Sequence, residues 1–186
     1  MIVLIAVLVI VVILVMMVIG TYNRLVGLRQ NANNAFADID VQLKQRQDLI
    51  PNLVETVKGY AAHERGTLDE VVAARGAAVS ATSVEGKVAA ENALSGALGR
   101  LFALAEAYPD LKANQNFLQL QGELGDIENK LAAARRFFNN AVAEFNAQAQ
   151  SFPAVLFAAS MGFTQRDFFD LGEGRAAAQT APQVKF

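Results

Sequence analysis

The sequence predicts an all-α membrane protein, with an N-terminal transmembrane helix that continues into an elongated antiparallel helical bundle. Three observations predict it. Met1 to Ile19 is an unbroken apolar run, and about 20 such residues carry a helix across a ~30 Å hydrocarbon core. Beyond the run, apolar residues recur at steps of three and four, the period of a helix with one buried stripe. Phe117, Leu124, Leu131, Phe138, Phe145 and Phe152 then fall seven apart, a heptad repeat that suits antiparallel packing or a coiled coil. These features divide the chain into an anchor (1–20), a helical domain (21–171) and a tail (172–186) rich in Gly, Ala, Gln and Pro and expected to be disordered.

Composition narrows the function before any element is placed. The 186 residues are 53% hydrophobic, carry a formal net charge of -2, and include no Cys and one His. A near-neutral chain offers no basic field to nucleic acid. Without Cys there is no disulfide, thiolate nucleophile or zinc–thiolate site.

The anchor is bounded by Ile2 and Ile19. Gly20 and Thr21 follow, then Tyr22, suited to the headgroup level, and Arg24, long enough to snorkel. A cleaved leader fits poorly, because there is no basic stretch before the run, the run is too long, and no small-x-small site closes it. No Lys or Arg precedes the span, whereas Arg24, Arg29, Lys44 and Arg46 follow, and the first acid is Asp38. The positive-inside rule then expects a single pass with the N-terminus outside and the body on the cytoplasmic side. No GxxxG marks a helix-pairing face inside the span.

The span is expected to run unbroken into a first helix ending near Gln47, with Leu25, Leu28, Ala32, Ala35, Phe36, Ile39 and Leu43 as its stripe and Arg29, Asn33, Asp40, Lys44 and Gln47 on the other face. Pro51 removes a backbone donor and clashes with the carbonyl four residues back. With Asp48 as a cap, Asp48–Pro51 reads as a kink or a tight junction. A second helix follows to about Ser80, striped by Leu53, Val54, Val57, Leu68 and Val71, and Ser80–Gly86 reads as a connection. A third, Ala-rich helix runs from about Lys87 to Tyr108 and stops at Pro109.

The fourth helix, capped by Asn114, extends to Gln150, roughly 55 Å at 1.5 Å per residue. Its packing positions are Phe117, Leu120, Leu124, Ile127, Leu131, Phe138 and Phe145. Polar amides recur along it, among them Asn129, Asn139, Asn140 and Asn146. They either fix register from buried positions or solubilise an exposed face. After Pro153 come Phe157, Phe163, Phe168 and Phe169, which with Phe152 form an apolar segment too short to span a bilayer. It can pack on the bundle, bind a neighbouring protomer, or lie in the membrane interface.

No catalytic set is assembled. His63–Glu64 lacks the second His four residues on that a zinc helix requires, since position 67 is Thr67. Of the acid pairs, only Glu123/Asp126 share a helix face, and oxygen-ligand cation sites need more converging ligands. Ser95, Gly96 and Gly99 lie within a predicted helix, where small residues serve close helix approach rather than phosphate binding. A lone His cannot supply a Ser–His–acid set. No catalytic, cofactor or metal site is expected.

Four blocks carry a resemblance. Asp40 to Glu64 reads DVQLKQRQDLIPNLVETVKGYAAHE, and Glu91 to Phe117 reads ENALSGALGRLFALAEAYPDLKANQNF. Ile127 to Val142 reads IENKLAAARRFFNNAV, and Phe152–Pro153 with Gly162–Phe163 closes the pattern. The chain resembles the LemA family of bacterial membrane proteins over residues 22–171. It departs at Ile127, where the family often has Thr, and at Phe138, where Tyr is frequent. The resemblance implies a helical bundle on one N-terminal anchor, a cytoplasmic body and no known enzymatic activity. A magnetosome-associated relative implicates the family in organising or remodelling membranes. The function expected is therefore a non-enzymatic, membrane-anchored scaffold that self-associates. The alternative is an adaptor docking another membrane protein, such as a protease or transporter. Expected partners are the lipid bilayer and other copies of the chain, with no nucleic acid and no small-molecule substrate.

Overall fold

A computed structural model describes residues 1–169, and the tail expected at 172–186 lies outside them. The described chain is helical and contains no strand. It comprises α1 (Ile2–Lys58), α2 (Arg65–Ser80), α3 (Val84–Ala105), the single turn α4 (Pro109–Lys112) and α5 (Gln115–Gln150). Two 3-10 turns follow, Ala154–Leu156 and Ala159–Met161. Two compact units form, one from Met1–Asp38 with Arg136–Phe168, the other from Ile39–Arg135 with Phe169.

The helix that begins in the apolar run does not stop before Pro51. It continues through the proline to Lys58, where a kink or junction was expected at Asp48–Pro51. The apolar stripe explains the difference. Leu43, Ile50, Leu53, Val54 and Val57 are all buried on one face across the proline, and each such side chain gains about 1.5–3 kcal/mol on burial. That sum exceeds the ~3 kcal/mol an interior proline costs. The cost is also reduced locally. Proline leaves the Gln47 carbonyl without its intrahelical donor, and Arg75 Nε of α2 donates to that carbonyl at 2.7 Å.

The break falls instead at Gly59–Glu64, where Gly59 and Ala61 close the helix through bonds to the carbonyls of Glu55 and Val57. His63 is exposed in this connection. The next boundaries are set by caps. Ser83 Oγ accepts from the Gly86 N–H at 3.0 Å, so α3 begins three residues earlier than periodicity suggested. Pro109 occupies the first turn of α4, where its missing N–H costs nothing. Asn114 Oδ1 accepts from the Phe117 N–H at 3.0 Å and caps α5.

Each unit has its own core. In the larger, Ile50, Leu53 and Val57 of α1 pack with Leu68 and Val71 of α2, Leu94, Leu98 and Leu101 of α3, and Phe117 and Leu124 of α5. In the smaller, Leu25 and Leu28 pack with Phe145 and Ala149 of α5 and with Ala154, Ala158 and Phe163 beyond it. Phe36 meets Phe138 with ring centroids 5.4 Å apart, which fixes the antiparallel register of α1 and α5 in that unit. Gly162, in the left-handed region at φ 78°, turns the chain after the second 3-10 turn and returns Phe163 to the core.

Candidate functional site

Two features stand out, one in each unit. In the smaller unit, Ile2 and Ile19 and nearly every large apolar residue between them are exposed. This N-terminal part of α1 is the one stretch among the described residues long and apolar enough to cross a membrane. Tyr22 is partly exposed and meets Phe163 edge-on at 5.4 Å, and Arg24 is exposed. Arg29 lies over the Phe163 ring, 4.9 Å from its centroid.

The Phe-rich segment splits into two populations. Phe163 is buried and Phe157 half-buried against the smaller core, and Phe169 is buried. Phe152 (72% exposed) and Phe168 (47%) face outward, as do Val155, Leu156 and Met161. Asn146 holds the end of this segment, its Nδ2 donating to the Arg166 carbonyl and its Oδ1 accepting the Arg166 N–H, both at 2.9 Å. The Arg166 side chain in turn donates to Asn33 Oδ1 at 2.6 Å. Asn146 therefore fixes register within the chain, whereas Asn129 and Asn140 are exposed.

Along α5 the packing positions Phe117, Leu124, Ile127, Leu131, Phe138 and Phe145 are buried within the chain and Leu120 is half-buried. Their side chains are occupied by intramolecular contacts, and the exposed aromatic of this helix is Phe137.

In the larger unit, α1, α3 and α5 enclose a charge network. Arg46 (6% exposed) donates to Glu91 Oε2 (1% exposed) at 3.0 Å and to Ser95 Oγ at 2.9 Å. Gln47 Nε2 donates to Glu91 Oε1 at 3.3 Å. Glu128 forms an ion pair with Arg46 at 3.3 Å and another with Arg135 at 3.6 Å. Burial pushes the Glu91 carboxyl above its ordinary value, while the Arg46 charge and the bonds from Gln47 and Arg46 pull it back, and burial wins. Both Glu91 oxygens are engaged by α1 donors, so the carboxylate ties α1 to α3.

Beside the network lies a cleft of about 710 Å³, whose lining includes Arg46, Ser95 and Glu128 together with Gly96, Gly99 and Gly125. A Cβ at Gly99 or Gly125 would meet no atom within 4 Å, so close approach of α3 to a neighbouring helix does not require these glycines. Among the described residues no three His, Asp or Glu side chains converge as metal ligands.

The sequence reading missed Arg46 and Glu91 and placed Gln47 on the polar face, whereas Gln47 is buried. The signal was present. Arg46 stands where an apolar residue should on the stripe Ile39, Leu43, 46, Ile50, Leu53, and Glu91 does the same before Leu94, Leu98 and Leu101. Opposite charges at core registers of two helices are a paired-charge signature.

The LemA family model matches residues 35–186. The chain belongs to the LemA family. It is 24% identical over 174 residues to the magnetosome protein MamQ of Magnetospirillum gryphiswaldense, covering 80% of this chain and 64% of that protein. Against the protein LemA of Metamycoplasma hominis it is 28% identical over 138 residues, covering 72% of this chain and 62% of that protein. This LemA-family chain thus spans somewhat less than two thirds of the length of the relatives it matches.

Proposed function

We propose that this LemA-family chain is a non-enzymatic scaffold, held in the inner membrane by residues 1–20, that self-associates and organises or remodels the bilayer from the cytoplasmic side. The exposed apolar stretch continuing without a break into a bundle helix carries this reading. Membership of the family and the likeness to a protein named for the magnetosome support it. The heptad positions from Phe117 to Phe145 are buried within the chain, so self-association falls to outward apolar groups such as Phe137 and Leu118. Its partners are the lipid bilayer and other copies, not nucleic acid or a small-molecule substrate. The test is negative-stain electron microscopy of the full chain in mild detergent. Large, regular particles support the reading, and small monodisperse particles overturn self-association.

One observation favours a second reading, an adaptor for another membrane protein. The cleft lined in part by Gly96, Gly99 and Gly125 leaves room for a partner's side chains. Monomeric behaviour together with a single membrane protein crosslinked to a probe at Gln121, on the cleft wall, is the outcome that reading expects.

A further inference from the structure

The antiparallel register of the smaller unit sets how close the Phe-rich segment comes to the end of the apolar span. Phe36 pairs with Phe138. Fourteen residues back along α1 from Phe36 is Tyr22, and fourteen forward from Phe138 is Phe152. α5 ends at Gln150, so Phe152 follows in the next turn at the level of Tyr22. Packing of Ala154, Ala158 and Phe163 on Leu25 and Leu28 holds the whole segment there. Ile19, the last residue of the apolar run, is three residues beyond Tyr22, roughly 4.5 Å along the helix axis.

At that level the segment is two-faced. Ala154, Ala158 and Phe163 turn inward, while Phe152, Val155, Leu156, Met161 and Phe168 turn outward. Leu156 is 75% exposed. Large apolar side chains clustered outward are costly in water. In the headgroup and acyl boundary they are not, and there apolar faces bury to a depth of about 5–10 Å. Arg24 is exposed at the same level, placed for anionic headgroups.

We propose that the segment Phe152–Phe168 is a membrane-interface wedge, inserting Phe152, Val155, Leu156 and Met161 into the leaflet beside the span. The occupant of this surface is lipid. The inference rests on the reading that residues 1–20 cross the bilayer, and it deepens that reading. A span fills both leaflets, whereas a wedge at one end of it expands only one, which is a physical route to bending the membrane.

The chain has no Cys, so a single introduced Cys reports one site. The full-length chain carrying Leu156→Cys, and separately Phe152→Cys, is labelled with a polarity-sensitive fluorophore and reconstituted into phosphatidylcholine–phosphatidylglycerol vesicles. Val72→Cys, also exposed but in the larger unit, is the reference. The expected result is a blue shift at 152 and 156 with quenching by lipids nitroxide-labelled near the headgroup, and neither at 72. Quenching of all three sites equally by aqueous iodide overturns the wedge. A blue shift at 152 and 156 that nitroxide lipid does not quench also overturns it. It assigns the surface to a second copy, leaving self-association intact. Lipid quenching from chains that are single particles by microscopy sustains the wedge while self-association fails.

Discussion

Replacing Glu91 with Ala should destabilise the larger unit far more than removing the whole ion pair. In the wild type, Arg46 is nearly enclosed and is held by Glu91 at 3.0 Å, Ser95 at 2.9 Å and the half-exposed Glu128 at 3.3 Å. Removing one partner of a buried pair costs about 3–5 kcal/mol, because the other charge stays desolvated. Ser95 and Glu128 remain, which puts Glu91→Ala near the lower end, about 3 kcal/mol. The double change Arg46→Met with Glu91→Leu removes both desolvated charges and keeps volume in the core, so it should fall within about 1 kcal/mol of wild type. The two variants should therefore differ by at least about 2 kcal/mol in stability. Urea unfolding of the full chain in mild detergent, followed by far-ultraviolet circular dichroism, measures it. With a denaturant slope of about 2 kcal/mol/M, Glu91→Ala lowers the midpoint by about 1.5 M and the double change by less than about 0.5 M. A double mutant at least as unstable as Glu91→Ala would show that the pair stabilises beyond its packing, and the argument from desolvation would fail.

Three further outcomes follow from the same structure. The folded Glu91 carboxyl titrates above its ordinary 4.5, so the folded state holds this proton more tightly than the unfolded one. The resulting stability is fully present below pH 4.5 and is lost as pH rises through the folded value. Subtracting the Glu91→Gln unfolding midpoint from the wild-type one should therefore give a difference that falls as pH rises from 4.5, and a flat difference would contradict the burial. Arg75→Ala should cost about 1–3 kcal/mol by leaving the Gln47 carbonyl without a donor. With Pro51→Ala already in place the cost should shrink, since residue 51 then supplies its own N–H, and equal costs in both backgrounds would refute that link. Asn146→Ala breaks both bonds to the Arg166 backbone and should speed tryptic cleavage after Arg166, measured by mass spectrometry.

Much of the architecture was legible because it rests on local physics. The apolar run, the stripe continuing past it, the Asn114 cap and the long α5 are each written in consecutive residues. Pro51 was read as a boundary because a proline is a local signal, whereas its compensation by Arg75 is a contact across 28 residues. The fate of the Phe-rich segment was equally non-local. Phe163 turns inward because Gly162 takes a positive φ and Leu25 and Leu28 offer a surface, and nothing between 152 and 163 encodes that surface. The charge network was half legible. Each charge sits visibly out of place on its own stripe, but spacing within a helix does not say which helices face one another.

The bare glycines of α3 and α5 also set where the fold gives way. Gly in a helix interior costs about 0.5–1 kcal/mol relative to Ala, and a Cβ at Gly122 or Gly125 would touch nothing. No packing offsets that cost, so the turn they occupy is a weak point in the interior of α5. Local opening should begin there, and the amides of 122–126 should exchange with deuterium ahead of those around the buried Leu131. Leu124 and Gly125 of that turn line the cleft, so breathing in this helix reaches the cleft surface.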